Sequence, residues 1–425
     1  MTPSAFFACV LSACSLLLLN ACSSAGSSSH HDSAPVPCTQ AATPSSAAGY
    51  QLAPFCSPRD PGPGNVLFAA SGEVLALTGY AFPPQSPDDA AFVDGWDVHF
   101  SHLLTTLDQL KLSENPDYDP GSQVGSGKLV AEADGPWAVD LSHADSTYLQ
   151  GKGGPGEQAV PIAALTNQNR AGGDAFATDG SRYAFGFDVV AAADGAQNVN
   201  LDADALGEYQ RMVSEGCAVL YVGQATFKGD ASVAGCVTEG SKTWPKTVNF
   251  RLCFKSPTSY GNCQNPDNDP ADPFPSEEHQ RGIAFLANGS VVAQVTLHTD
   301  HPFWDSVLHD SPAHFDQFAA RAQLTNTDTG DVTLEDTQGV DYTAYTDRAG
   351  KAVSWRYCTP PPTDVHPELD GAMRFDAESV PHAQGNHPAS GLRDYYDFAT
   401  YDQSTQGHLN SDGLCSVQRN YPSPG

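Results

Sequence analysis

The chain has 425 residues, with 50 acidic side chains against 20 basic ones and a formal charge of −30. That balance repels phosphate backbones and anionic membrane surfaces, and no basic cluster offers a footprint, so nucleic-acid partners are excluded. The same acidity favours cations, or serves solubility alone.

An apolar run from Phe6 to Leu19 opens the chain and leads through small residues to Cys22. It is too short for a membrane-spanning helix, which needs about 20 residues, and has the shape of a secretory signal peptide. Leu19-Asn20-Ala21-Cys22 resembles the lipobox of bacterial lipoproteins, although no Lys or Arg precedes the apolar run. The resemblance implies removal of residues 1–21 and a lipid on the Cys22 sulfur that anchors the chain in the cell envelope. Ser23 looks like outer-membrane sorting. The membrane, reached through that lipid, and another envelope protein are the partners this implies. The alternative is an ordinary signal peptide cleaved nearby.

Residues 22–64 are rich in Ser, Ala and Pro without hydrophobic periodicity and read as a flexible tether. From Asn65 onward, short alternating runs are punctuated by Gly, Pro, Asn and Asp, the pattern of strands and turns. "NVLFAASGEVLALTGYAF" carries a turn signal at Ser71-Gly72, and "GWDVHFSHLLTTLDQLKL" alternates Trp96, Val98 and Phe100 against Asp97, His99 and Ser101. "GPWAVDLSH", "RYAFGFDVVAA" and "CAVLYVGQATF" are further strands. Asn288-Gly289 between two apolar runs predicts a β-hairpin. Helices are expected in "LDADALGEYQRMVSEG", capped near residue 200, and in "PAHFDQFAARAQ", with Ser311 as N-cap and Pro312 in the first turn. The fold class is therefore mainly β, as sandwich-like antiparallel sheets with a few short helices.

An internal echo divides the body. "NPDYDP" at 115–120 returns as "NPDNDP" at 265–270, "VHF" at 98–100 as "VNF" at 248–250, and "VDLSHAD" at 139–145 resembles "VTLHTDH" at 295–301. Two related β modules, 65–214 and 215–349, follow from this, with chance composition as the bland alternative. A loop-rich, Tyr- and Pro-rich segment, 350–425, closes the chain.

Of eleven cysteines, Cys9 and Cys14 lie in the signal and Cys22 takes the lipid, which leaves eight. An even number in an exported chain argues for disulfides. Short loops close most readily, so the expected bridges join sequence neighbours: Cys38–Cys56, Cys217–Cys236, Cys253–Cys263 and Cys358–Cys415. No Cys-x2-4-Cys spacing supports a zinc–thiolate site.

"HTDHPFWDSVLHDSPAHFDQFAAR", residues 298–321, is the densest chemistry in the chain. Val295 and Leu297 share one face of the strand before it, so His298 leaves on the opposite, polar face, with Asp300 and His301 in the following turn. Imidazole suits copper, zinc or iron, and a carboxylate can complete or orient such a site. The candidate ligands are His298, His301, His309, His314 and Asp300, with His99 and His143 as secondary candidates. The same histidines could equally cap a helix or bond backbone carbonyls. Asp117 with Asp119, and Asp267 with Asp269 and Asp272, alternate in loops in a way that would suit calcium, although the EF-hand pattern is not met. Prolines between those acids fit rigid solvated turns as well. No Gly-x-Ser-x-Gly or His-Glu-x-x-His occurs, and "GSQVGSGKL" lacks the glycine and the Ser/Thr of a phosphate loop.

The expected protein is a lipid-anchored, disulfide-stapled β protein of the envelope that binds copper or zinc rather than iron. Surface recognition of glycan or protein through exposed aromatics such as "DYYDFATY", and a hydrolase of unfamiliar site, are the alternatives. If Cys22 carries lipid, the protein enters the detergent phase on phase partitioning and Cys22→Ala leaves it soluble or unprocessed; equal partitioning of the two would refute the anchor.

Overall fold

Alternation of apolar and polar residues sets the elements, and the computed structural model describes residues 38–41, 46–47, 50–86, 89–119, 123–229, 244–268, 279–304, 313–340 and 394–420. Strand β1 (Val66–Ser71) is followed by the short helix α1 (Glu73–Thr78), the long strand β2 (Trp96–Ser113), β3 (Trp137–Asp140), β4 (Gln158–Leu165) and β5 (Arg182–Val189). Helix α2 (Ala203–Glu215), β6 (Val219–Phe227), β7 (Thr247–Phe254), β8 (Thr258–Gly261) and β9 (Val291–Leu297) come next. Then follow α3 (Asp316–Ala319), β10 (Thr329–Thr333), α4 (Tyr395–Gln403), β11 (Gly407–Leu409), β12 (Gly413–Leu414) and β13 (Ser416–Arg419).

The fold is mainly β and sandwich-like. A large sheet runs β10-β7-β6-β2-β5-β8-β13, and a smaller one runs β4-β1-β9-β11-β12. Their inner faces share one core, in which Phe68 of β1 stacks on Phe185 of β5 with centroids 5.3 Å apart. On the outer face of the large sheet, α2 buries Tyr209 and Met212 over Leu104 and Leu220. Asp202 caps that helix, as expected near residue 200, by accepting from the Asp204 and Ala205 amides, and left-handed Gly216 ends it. Among the described residues no helix is long and apolar enough to cross a membrane.

The long strand β2 keeps its alternation only by slipping, first opposite Gly223 and again between Asp108 and Lys111, where its pairing with β5 shifts and Leu110 and Leu112 turn inward. Opposite Gly223 the register shifts, so that Val222 faces His102 while Gly223 faces Phe100. Ser101 is the extra residue of this bulge. Beyond it Leu103 and Leu107, rather than the even positions, point to the core, and His102 turns to the outer face. Gly223 permits the close approach: a Cβ there would lie 2.2 Å from the His99 carbonyl oxygen.

Several expectations change. Asn288-Gly289 does not close a hairpin, because Ile283–Ala284 pairs with β5 while β9 pairs with β1 and β11. Burial of Ile283 and Phe285 against Phe176 and Tyr183 holds the first apolar run in the other sheet. Ser71-Gly72 leads into α1 rather than into a second strand. Leu52 and Phe55, placed in the tether by composition, are buried, so the tether ends earlier than residue 64. Strands from 65–214 and 215–349 share both sheets: β2 and β5 lie between β6 and β8 in the large one, and β1 pairs with β9 in the smaller one. The helix read from 312 onward is only α3, with Phe315 at its N-cap position; Ser311 and Pro312 lie outside the described residues. In "DYYDFATY" Tyr395, Phe398 and Tyr401 are buried on α4, which removes the exposed aromatic surface expected there.

Bridging follows strand adjacency, not loop length. Cys217 bonds Cys253, and Cys263 bonds Cys415. The expected Cys217–Cys236, Cys253–Cys263 and Cys358–Cys415 bridges are therefore overturned. In each case the ladder brings the ends together: Leu220 faces Cys253 across β6–β7, and Gly261 faces Ser416 across β8–β13. Cys56 is also disulfide-bonded, and the Cys38 side chain, Cys236 and Cys358 lie outside the described residues. Peptide mapping without reduction should recover Cys217–Cys253 and Cys263–Cys415. Replacing Cys263 and Cys415 by Ser should cost roughly 2–5 kcal/mol by denaturant unfolding; recovery of a Cys253–Cys263 peptide would contradict this topology.

Candidate functional site

Strands β1 and β9 run parallel, with Val66 beside Val291 and Ser71 beside Thr296. Their C-terminal ends therefore lie on one edge of the smaller sheet, the position at which parallel strands commonly present ligands. Two residues past Ser71 stands Glu73, and two past Thr296 stands His298; the Glu73 Oε2 lies 3.4 Å from the His298 Nδ1. Strand β11 pairs antiparallel on the far side of β9 and sets His408 opposite Thr296. Gln294, Thr296 and His298 share the face away from the core, as the alternation of Val295 and Leu297 predicts.

Three imidazoles meet there. The His298 and His408 ring centroids are 4.2 Å apart, those of His298 and His301 5.3 Å, and those of His301 and His408 5.6 Å. Each of the two sequence-derived ligands has a ring nitrogen held from outside. The His298 Nε2 donates to the Ser411 carbonyl at 2.9 Å, which makes Nδ1 the atom it would offer an ion. The His301 Nδ1 bonds the Thr405 hydroxyl at 2.7 Å, and its ring stacks on Trp304 at 3.7 Å. Such outer contacts fix the tautomer and orientation of metal-binding histidines.

Two sets of potential ligand atoms have all members within 4.8 Å of one another: His298 with Asp300 and His301, and Glu73 with His298 and Asp412. A third such set, Glu215, Cys217 and Cys253, is spent on a disulfide. Carboxylates crowd the first two. Burial pushes the Glu73 carboxyl up to about 7 against the pull of His298, and Asp300, Glu157 and Asp412 add to the rise. Burial alone would depress the His298 imidazole, yet Glu73, Asp300, the Ser411 carbonyl and Asp412 together hold it above its usual value.

The backbone is strained around the same ring. Glu73, Asn410 and Ser411 adopt φ of 65°, 52° and 76°, a region that residues other than glycine rarely enter. The hairpin tip between β11 and β12 is tied down despite this. The Asn410 Oδ1 accepts from the Gln294 amide at 2.8 Å, and the Ser411 amide donates to the Thr296 hydroxyl at 3.0 Å. Strain that persists under such tethering clusters at functional sites.

The other candidates are placed elsewhere. His314 lies 3.7 Å from Asp94, whose carboxylate accepts from the Phe315 and Asp316 amides; no ligand set among the described residues includes it. His309 lies outside the described residues. His99 is exposed and pairs with Asp97 at 2.9 Å, and His143 packs its ring near Tyr148. Asp117 is ion-paired with Arg182 and Asp267 with Lys152, so both carboxylates already face a cation. The Asp119 main-chain carbonyl accepts from the Gln123 amide, while Asp269 and Asp272 lie outside the described residues. The repeated "NPD" is a shared turn: the Asn115 and Asn265 side chains accept from the Asp117 and Asp267 amides.

Sequence reasoning missed Glu73, His408 and Asp412. The turn-rich "HLNSDG" was the one visible signal for the last two. Comparison with protein-family models, curated proteins and solved structures finds no match.

Proposed function

We propose that the chain is an envelope protein, held by the lipid on Cys22, that binds a transition metal, copper or zinc, at His298, Asp300 and His301. The observation that carries this reading is the convergence of those three side chains within ligand distance of one another. Two imidazoles and a carboxylate suit a borderline divalent ion, and the outer contacts from Ser411 and Thr405 are of the kind that orient such ligands. His408 packs against both rings as a further imidazole at the same spot. The crowding of Asp300, Glu157 and Asp412 about Glu73, beside His298, supports a cation at this spot.

His298→Ala combined with His301→Ala should abolish stoichiometric binding of Cu2+ or Zn2+, measured by metal analysis after dialysis, while the disulfides and circular dichroism stay unchanged. A double variant that keeps full metal content would remove this reading.

The pH dependence has a definite sign. Glu73 and His298 both hold their protons to higher pH than free side chains do. Each therefore stabilises the metal-free fold at low pH, and that contribution is lost as pH rises through the folded value. An ion must displace the same protons. Metal-induced thermal stabilisation should accordingly grow as pH rises through about 7; a stabilisation independent of pH between 6 and 8 would mean that these groups do not hold the ion.

A further inference from the structure

We infer that Glu73, His298 and Asp412 form a second, outer position for the same divalent ion, a loading station that hands it to His298, Asp300 and His301. The inference rests on the metal reading above and adds a route to it. His298 belongs to both ligand sets. Its Nε2 is committed to the Ser411 carbonyl, so both positions draw on Nδ1, and only one ion is held at a time. Burial grades between the two: Asp412 is exposed, Glu73 and His298 are half-buried, and His301 is buried.

The ligand chemistry grades in the same direction. The outer set offers one imidazole and two carboxylates, the inner set two imidazoles and one carboxylate. Nitrogen-rich sites hold zinc and copper more firmly, whereas oxygen-rich ones suit harder ions. An ion arriving from solvent thus meets the exposed, weaker set first and moves to the tighter one by exchanging Glu73 and Asp412 for Asp300 and His301, without leaving Nδ1. Nothing is oxidised or reduced, and the only other movement is loss of any proton held by Glu73 or His298.

The hairpin that carries Asp412 is built to stay in place. Its tip is locked by the Gln294 and Thr296 contacts in spite of left-handed Asn410 and Ser411. Gly413 allows the closure, because a Cβ there would lie 2.2 Å from the Gln264 carbonyl oxygen.

The test uses the purified full-length protein and Zn2+, with rates followed by stopped-flow competition against a chromophoric chelator. A station lowers the barrier in both directions, so Asp412→Asn should slow association and dissociation alike, by roughly tenfold, with little change in equilibrium affinity. Glu73→Gln should do the same. His301→Ala should keep fast association and lose affinity through faster dissociation. Wild-type rates in Asp412→Asn would overturn the station. Slowed association alone would also overturn it, since that reports long-range attraction. An affinity loss matching that of His301→Ala would make Asp412 a ligand of the resting site and overturn it too. If the wild-type protein binds no Zn2+, the metal reading itself fails and the station falls with it.

Discussion

The parallel pairing of β1 with β9 is the constraint on which the candidate site depends. Parallel strands finish on the same edge, so the residues just beyond their ends are brought together without any turn between them. Glu73 and His298, more than two hundred positions apart in the chain, reach 3.4 Å in this way. Had the same two strands paired antiparallel, a six-residue strand rising about 3.3 Å per residue would have left them roughly 20 Å apart. Five strands of the large sheet, β2, β5, β6, β7 and β8, are inserted between these two strands in sequence. Its core, joined to the smaller sheet through Phe68 and Phe185, sets the platform on which they lie side by side.

Electrostatics then gives the edge its character. Raising Glu73 from its ordinary value near 4.5 to about 7 corresponds to roughly 3 kcal/mol in favour of the neutral acid. That is the energy the metal-free site recovers by keeping a proton among carboxylates it cannot otherwise accommodate. Structural zinc binding is worth about 10–16 kcal/mol in small peptides, so a divalent ion could displace the proton and still bind. Protonation and the proposed metal binding would thus compete for the same groups.

Much of the local structure was legible because local rules decide it. The α2 helix, its Asp202 cap and its Gly216 stop follow from residues within one turn of each end. The polar exit of His298 follows from alternation along β9. Nearness in sequence placed His298, Asp300 and His301 together, but it misled at the hairpin, at the bridges and at His314. Asn288-Gly289 carries strong hairpin chemistry, yet the apolar residues on its two sides are claimed by different sheets. Cysteines that are neighbours along the chain lost to cysteines that are neighbours across a ladder. His314 sat in the same dense stretch as His298 and was drawn instead to the buried Asp94. Glu73 and His408 join the site through strand pairing alone, and no local pattern announces that pairing.

The same logic ties the site to the redox state of the chain. The hairpin of β11 and β12 supplies His408, the Ser411 carbonyl and Asp412, and it is followed at once by Cys415. The Cys263 bridge and the Gln264 amide, which donates to the Leu414 carbonyl at 2.8 Å, fasten the base of that hairpin to the large sheet. Its tip is meanwhile held against strain by Gln294 and Thr296. A short two-stranded hairpin is marginal by itself, and two left-handed residues other than glycine make this one more so. The covalent link therefore acts on the ligand geometry as well as on global stability. The contact by which the Ser411 carbonyl accepts from the His298 Nε2 thus rests in part on the Cys263–Cys415 bridge at the base of its hairpin.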